Sequence, residues 1–102
     1  MLKQKITVKT SLQADIPLEN AFLALKNADE VNRFLNDLLT PAERAAFDER
    51  WLIAQKLVSK SETYRVIAKS TGASTTTVTR VARFLFEERH HGYKIVLDRL
   101  AK

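Results

Sequence analysis

A helix opened at Thr40 meets nothing that would stop it before Ser59. Thr40 is a preferred N-cap residue, Pro41 suits the first helical position, and Glu43 stands where its carboxylate can reach back to the cap. About five turns follow without glycine or proline. Phe47, Trp51, Ala54 and Val58 fall on one stripe, which Ile53 and Leu57 broaden. A chain built around such a segment has to bury it against other helices. Composition points the same way: two glycines and two prolines are too little punctuation for an all-β fold of 102 residues. A hydrophobic share of 45% is too high for a disordered chain. The expected fold class is all-α, in one domain.

Other segments carry the same period. Pro17 fits the first turn of a helix bearing Phe22, Leu23 and Leu25. Asp29 is expected to cap a second helix, in which Val31, Phe34, Leu35 and Leu38 recur at i, i+3, i+4 and i+7. Gly92 precedes a last helix with Tyr93, Val96, Leu97 and Leu100 in register. With two short helices between Ser61 and Phe86, six helices are expected over residues 17–102. Residues 1–16 read as an N-terminal arm, free to move or to reach a partner subunit. Lys5 to Lys9 alternates like a strand, but one isolated strand has nothing to pair with.

The stretch from Tyr64 to Phe84 has the pattern of a helix-turn-helix. Two short helices that cross steeply need a small residue where they touch, and Ala68 supplies it. The turn needs a residue comfortable at positive φ, and Gly72 follows four residues later. The second helix, at about 74–86 and capped by Ser74 or Thr75, presents Val78, Val81, Ala82 and Leu85 as its inner face, with Ile67 opposite. Its outer face carries Thr75, Thr76, Thr77 and Thr79, then Arg80 and Arg83. Threonine is a mediocre helix former, so four of them gain nothing locally. Their hydroxyls and methyls suit base edges and phosphates in a major groove, and the arginines suit phosphate or a guanine edge.

Charge placement sharpens that reading. The net charge of +5 is only mildly basic. Yet residues 60–86 hold Lys60, Arg65, Lys69, Arg80 and Arg83 against Glu62, whereas Asp29, Glu30, Asp37, Glu43, Asp48 and Glu49 crowd into residues 29–50. Basic charge gathered on one short stretch is the footprint of a nucleic-acid reader. Candidate DNA contacts are Tyr64, Arg65, Lys69, Ser74, Thr75, Thr76, Thr77, Thr79, Arg80 and Arg83.

Two blocks, Leu39-Thr40-Pro41-Ala42-Glu43-Arg44 and Thr71-Gly72-Ala73-Ser74-Thr75-Thr76-Thr77-Val78-Thr79-Arg80, resemble the tryptophan-repressor family. The likeness covers about Leu38 to Leu100. With Tyr64 upstream and a terminal helix ending Leu97-Asp98-Arg99, it is similar to the branch of repressor-like proteins without an assigned corepressor. The resemblance implies a six-helix, interlaced homodimer that presents two recognition helices to a palindromic operator. It also implies an effector site at Thr40, Arg50 and Arg80, where L-tryptophan would act as corepressor. Two residues depart from that site. Val81 stands where tryptophan-binding members carry glycine, and Phe84 where they carry a serine that meets the amino group. A valine branch and a phenyl ring are expected to fill the space an indole needs, so no cofactor is expected.

The expected function is therefore a sequence-specific transcriptional regulator, a repressor of double-stranded DNA targets. The alternative is an assembly or targeting module, such as a transposition or DNA-packaging subunit or a protein–protein adaptor. Nothing suggests an enzyme: no nucleophile–base set and no glycine-rich phosphate loop occurs. Absence of cysteine excludes disulfides and thiolate metal sites, and the adjacent His90 and His91 make a poor metal pair. No signal peptide and no membrane-length apolar run is present, so a cytoplasmic location is expected.

Overall fold

Six helices follow one another in the computed structural model, which describes residues 15–59 and 62–101. They are α1 (Leu18–Leu23), α2 (Ala28–Leu38), α3 (Pro41–Ser59), α4 (Tyr64–Thr71), α5 (Thr75–Phe86) and α6 (Gly92–Leu100). No strand occurs among the described residues. The arm expected at residues 1–16 lies outside them except for Asp15 and Ile16, as do Lys60 and Ser61.

Two compact units divide the chain, Met1–Phe34 and Leu35–Lys102. In the first, the Phe22 and Phe34 rings meet edge to face, with centroids 5.3 Å apart and planes at 83°. Two expected helix starts shift here. Pro17 sits one residue outside α1 as its N-cap, with φ −61° and an extended ψ of 150°. Asn27, not Asp29, caps α2: its Oδ1 accepts the Glu30 N–H at 2.9 Å, and Glu30 Oε1 accepts the Lys26 N–H at 2.8 Å. Asp29 is left one residue inside α2 and pairs with Arg33 at 3.0 Å.

The second unit holds the core. The start of α3 is the capping box read from the sequence. Thr40 Oγ1 accepts the Glu43 N–H at 3.1 Å, and Glu43 Oε1 accepts the Thr40 N–H at 2.9 Å. α3 packs against α4 and α5, α4 against α5, and α5 against α6. Ile53, Ala54 and Leu57 of α3, Ile67 and Ala68 of α4, and Val78, Val81, Ala82 and Leu85 of α5 form one buried cluster. Trp51, Ala73, Tyr93 and Leu97 flank it. The buried face of α3 is rotated from the expected stripe: Phe47 and Val58 remain 45% and 43% exposed. The reason is that α3 is apolar on several sides, and only the side bearing Ile53, Ala54 and Leu57 meets α4 and α5.

Candidate nucleic-acid interface

The turn between α4 and α5 is set by its own side chains. Thr63 caps α4 by accepting the Val66 N–H at 3.2 Å. Gly72 ends α4 in the left-handed region, at φ 79° and ψ 4°, and its N–H donates to the Ala68 carbonyl at 3.0 Å. The Thr71 hydroxyl donates to the Ile67 carbonyl at 2.7 Å and accepts the Ala73 N–H at 3.4 Å. That hydroxyl ties the last turn of α4 to the loop, a role no spacing rule singles out. Ser74 then caps α5, accepting the Thr77 N–H at 3.1 Å.

These contacts fix which way α5 faces. Val78, Val81, Ala82 and Leu85 are all buried, so the opposite face is held outward. There Thr75, Thr76, Thr79, Arg80 and Arg83 line one open groove. Ser74 is exposed at the groove's helix end. Thr77 stands apart from this set. It is half-buried, it is not among the residues that line the groove, and its hydroxyl lies 3.1 Å from that of Ser74. Tyr64, Arg65 and Lys69 are exposed on α4.

Arg33 pairs with Asp29 at 3.0 Å and Arg44 with Asp48 at 3.1 Å, each along one helix. Among the described residues no carboxylate pairs with Arg65, Lys69 or Arg80, whereas Arg83 pairs with Glu88 at 3.8 Å. The charges of Arg65, Lys69 and Arg80 are thus available to an anionic partner. Arg80 and Arg83 are each directed at the Phe84 ring, with guanidinium carbons 4.9 Å from its centroid.

The residues implied as an effector site are held by separate contacts. Thr40 is engaged in its capping box, Arg50 lies 5.3 Å from the Phe47 centroid, and Arg80 lies against Phe84. Val81 is fully in the core, 1% exposed. Phe84 is half-buried and stacks on His90, with centroids 6.3 Å apart and planes at 18°. Trp51, Phe84, His90, Gly92, Tyr93 and Val96 line an apolar cleft of about 490 Å³, and none of Thr40, Arg50 and Arg80 is among them.

The family model described as Trp repressor protein matches residues 17–101. This chain belongs to the Trp repressor family. The match covers both helices of the reading head together with α1, α2, α3 and α6, so the whole six-helix plan is that of the family. The uncharacterized protein YerC of Bacillus subtilis (strain 168) is 37% identical over 83 residues, which are 81% of this chain and 78% of that one. The crystal structure of a TrpR-like protein from Eubacterium eligens ATCC 27750 superposes with a TM-score of 0.73 at 39% identity, covering 82% of this chain and 84% of that one. A crystal structure from Staphylococcus aureus gives a TM-score of 0.72 at 36% identity, covering 82% of each chain. Trp repressor family members are DNA-binding regulators, and that is the class of this chain. Among the described residues no helix is long and apolar enough to cross a membrane.

Proposed function

We propose that this chain is a sequence-specific transcriptional repressor that lays α5 in the major groove of a palindromic operator and blocks access to a promoter. One observation carries the reading. α5 buries every apolar residue of its inner face while Thr75, Thr76, Thr79, Arg80 and Arg83 line a groove on its outer face. A hydroxyl- and guanidinium-bearing helix held outward by its own core is suited to base edges flanked by phosphates. Arg65 and Lys69 on α4 would extend the phosphate contacts. The working unit is a homodimer, which would set two such helices about one DNA turn apart, roughly 34 Å. Such a protein works where DNA is, in the cytoplasm.

The reading head needs no L-tryptophan. Phe84 stands beside Arg80 with its ring already in place, and Thr40 and Arg50 have partners of their own. Fluorescence anisotropy of labelled duplexes, titrated at two salt concentrations with and without L-tryptophan, tests both statements. Tight, sequence-selective binding that ignores tryptophan is expected. Enhancement by tryptophan would restore Thr40, Arg50 and Arg80 as a corepressor site. Absence of duplex binding in either condition would overturn the repressor reading and leave the assembly or targeting module in its place.

A further inference from the structure

We propose that Phe84 is a positioning residue of the reading head, a fixed aromatic post on which Arg80 and Arg83 are oriented before DNA arrives. This rests on the DNA-binding reading of α5. Arg80 is one helical turn before Phe84, and Arg83 is its chain neighbour. Side chains at i and i+4 share a helix face, but neighbours at i and i+1 do not. Spacing alone therefore does not place Arg83 on the ring's face of α5. Both guanidinium carbons nonetheless lie 4.9 Å from the same centroid, well inside the range of cation–π attraction.

The post itself is anchored. Phe84 is half-buried, its ring stacks on that of His90, and Trp51, Tyr93 and Val96 line the cleft on which it borders. The ring is half-buried and the two arginines are exposed, so the ring is the more constrained partner. Both arginines also line the threonine groove. Phe84 thus joins the apolar cleft to the polar surface that would meet DNA. Two long, charged side chains lose much rotamer freedom when they are fixed. Fixing them in the free protein removes part of that loss from the binding step. Two cations drawn to one ring also repel each other, and a phosphate placed between them would relieve the repulsion.

A positioning role has a signature that charge alone lacks. Loss of a phosphate contact lowers the slope of log affinity against log salt, because fewer counterions are released. Loss of orientation weakens binding while the number of charges, and so the slope, stays the same. The test compares wild type, Phe84→Leu, Phe84→Tyr and Arg80→Ala on a labelled duplex selected by the wild-type protein from a random-sequence library. Phe84→Leu should weaken binding by about three- to tenfold with the salt slope unchanged. Phe84→Tyr, which keeps the ring, should bind as wild type does. Arg80→Ala should lose affinity and about one unit of slope.

Without DNA, proton NMR of the free proteins gives a second readout. Ring currents should shift the Arg80 and Arg83 side-chain protons upfield in wild type and Phe84→Tyr, and Phe84→Leu should release them. If Phe84→Leu binds as tightly as wild type while Arg80→Ala still loses affinity, the positioning role is overturned and the DNA reading stands. If no duplex is selected at all, it is the DNA reading that falls. Should Phe84→Leu fail to fold, arginine protons at ordinary shifts in the wild type would by themselves overturn the inference.

Discussion

At the scale of single residues, two backbone positions and the groove face carry most of the consequence. Gly72 holds φ 79°, and a Cβ built there would meet nothing within 4 Å. The cost of a side chain at that position is therefore conformational and not steric. Gly72→Ala should lower the stability by about 1–2 kcal/mol. Gly72→Asn should cost less, since asparagine tolerates the left-handed region. Urea midpoints at an unchanged denaturant slope check this, and a larger loss for asparagine than for alanine would show that space is the limit after all. His91 is the other such position, with φ 57° ahead of α6, and it is a residue type enriched in that region. On the groove face, Thr79→Val removes a hydroxyl and keeps the methyl shape and the charge. It should change which base is preferred and leave the salt slope alone, as read by competition titrations with single-base variants of the operator. Thr77→Val should not change base preference, because the Thr77 hydroxyl is engaged with Ser74.

At the scale of helices, the legible features were those enforced by local chemistry. The start of α3 was readable because Thr40, Pro41 and Glu43 fix it within four residues, and their hydrogen bonds form as expected. The inner face of α5 was readable because one glycine and one small residue, Gly72 and Ala68, leave a single register in which Val78, Val81, Ala82 and Leu85 turn inward. The start of α2 was not, because Asn27 and Asp29 are both good caps two residues apart. What decides between them is Glu30, whose carboxylate reaches back to Lys26. Nor was the buried side of α3, whose apolar residues surround much of the helix, so periodicity could not choose among them. The gathering of Arg80 and Arg83 on Phe84 depends on how two long side chains bend, which spacing does not encode. The cap of α5 yields the prediction at this scale. Ser74→Ala should cost about 1 kcal/mol and Ser74→Asp should restore most of it, measured by thermal unfolding. Equal stability of serine and alanine at position 74 would mean that the cap hydrogen bond contributes nothing to the head.

At the scale of the whole molecule, the single chain buries too little of what it carries. Nine residues form the buried core among those described, and three of them are alanine. Meanwhile Phe47, Val58, Phe86, Ile95, Val96 and Leu100 of the second unit are 43–70% exposed. Scattered apolar atoms on a surface are ordinary, but large side chains exposed on α3, α5 and α6 against so small a core suit an interface. A homodimer would cover them, and with two reading heads its affinity for a palindrome would exceed that of one head by the effective concentration of the second. Leu100, at 70%, is the most exposed of the set, and in a symmetric dimer it counts twice. Burying a leucine is worth about 1.5–3 kcal/mol, so Leu100→Glu should raise the dimer dissociation constant by at least about a hundredfold. Lys94→Glu, on an exposed polar position of the same helix, serves as the control and should leave it unchanged. Sedimentation velocity over a range of protein concentrations reads both variants, and a melting temperature that rises with concentration in the wild type and Lys94→Glu but not in Leu100→Glu would agree. A wild-type chain that sediments as a monomer at all concentrations would show that this apolar surface is not closed by a second copy. It would also remove the reason to expect a palindromic operator.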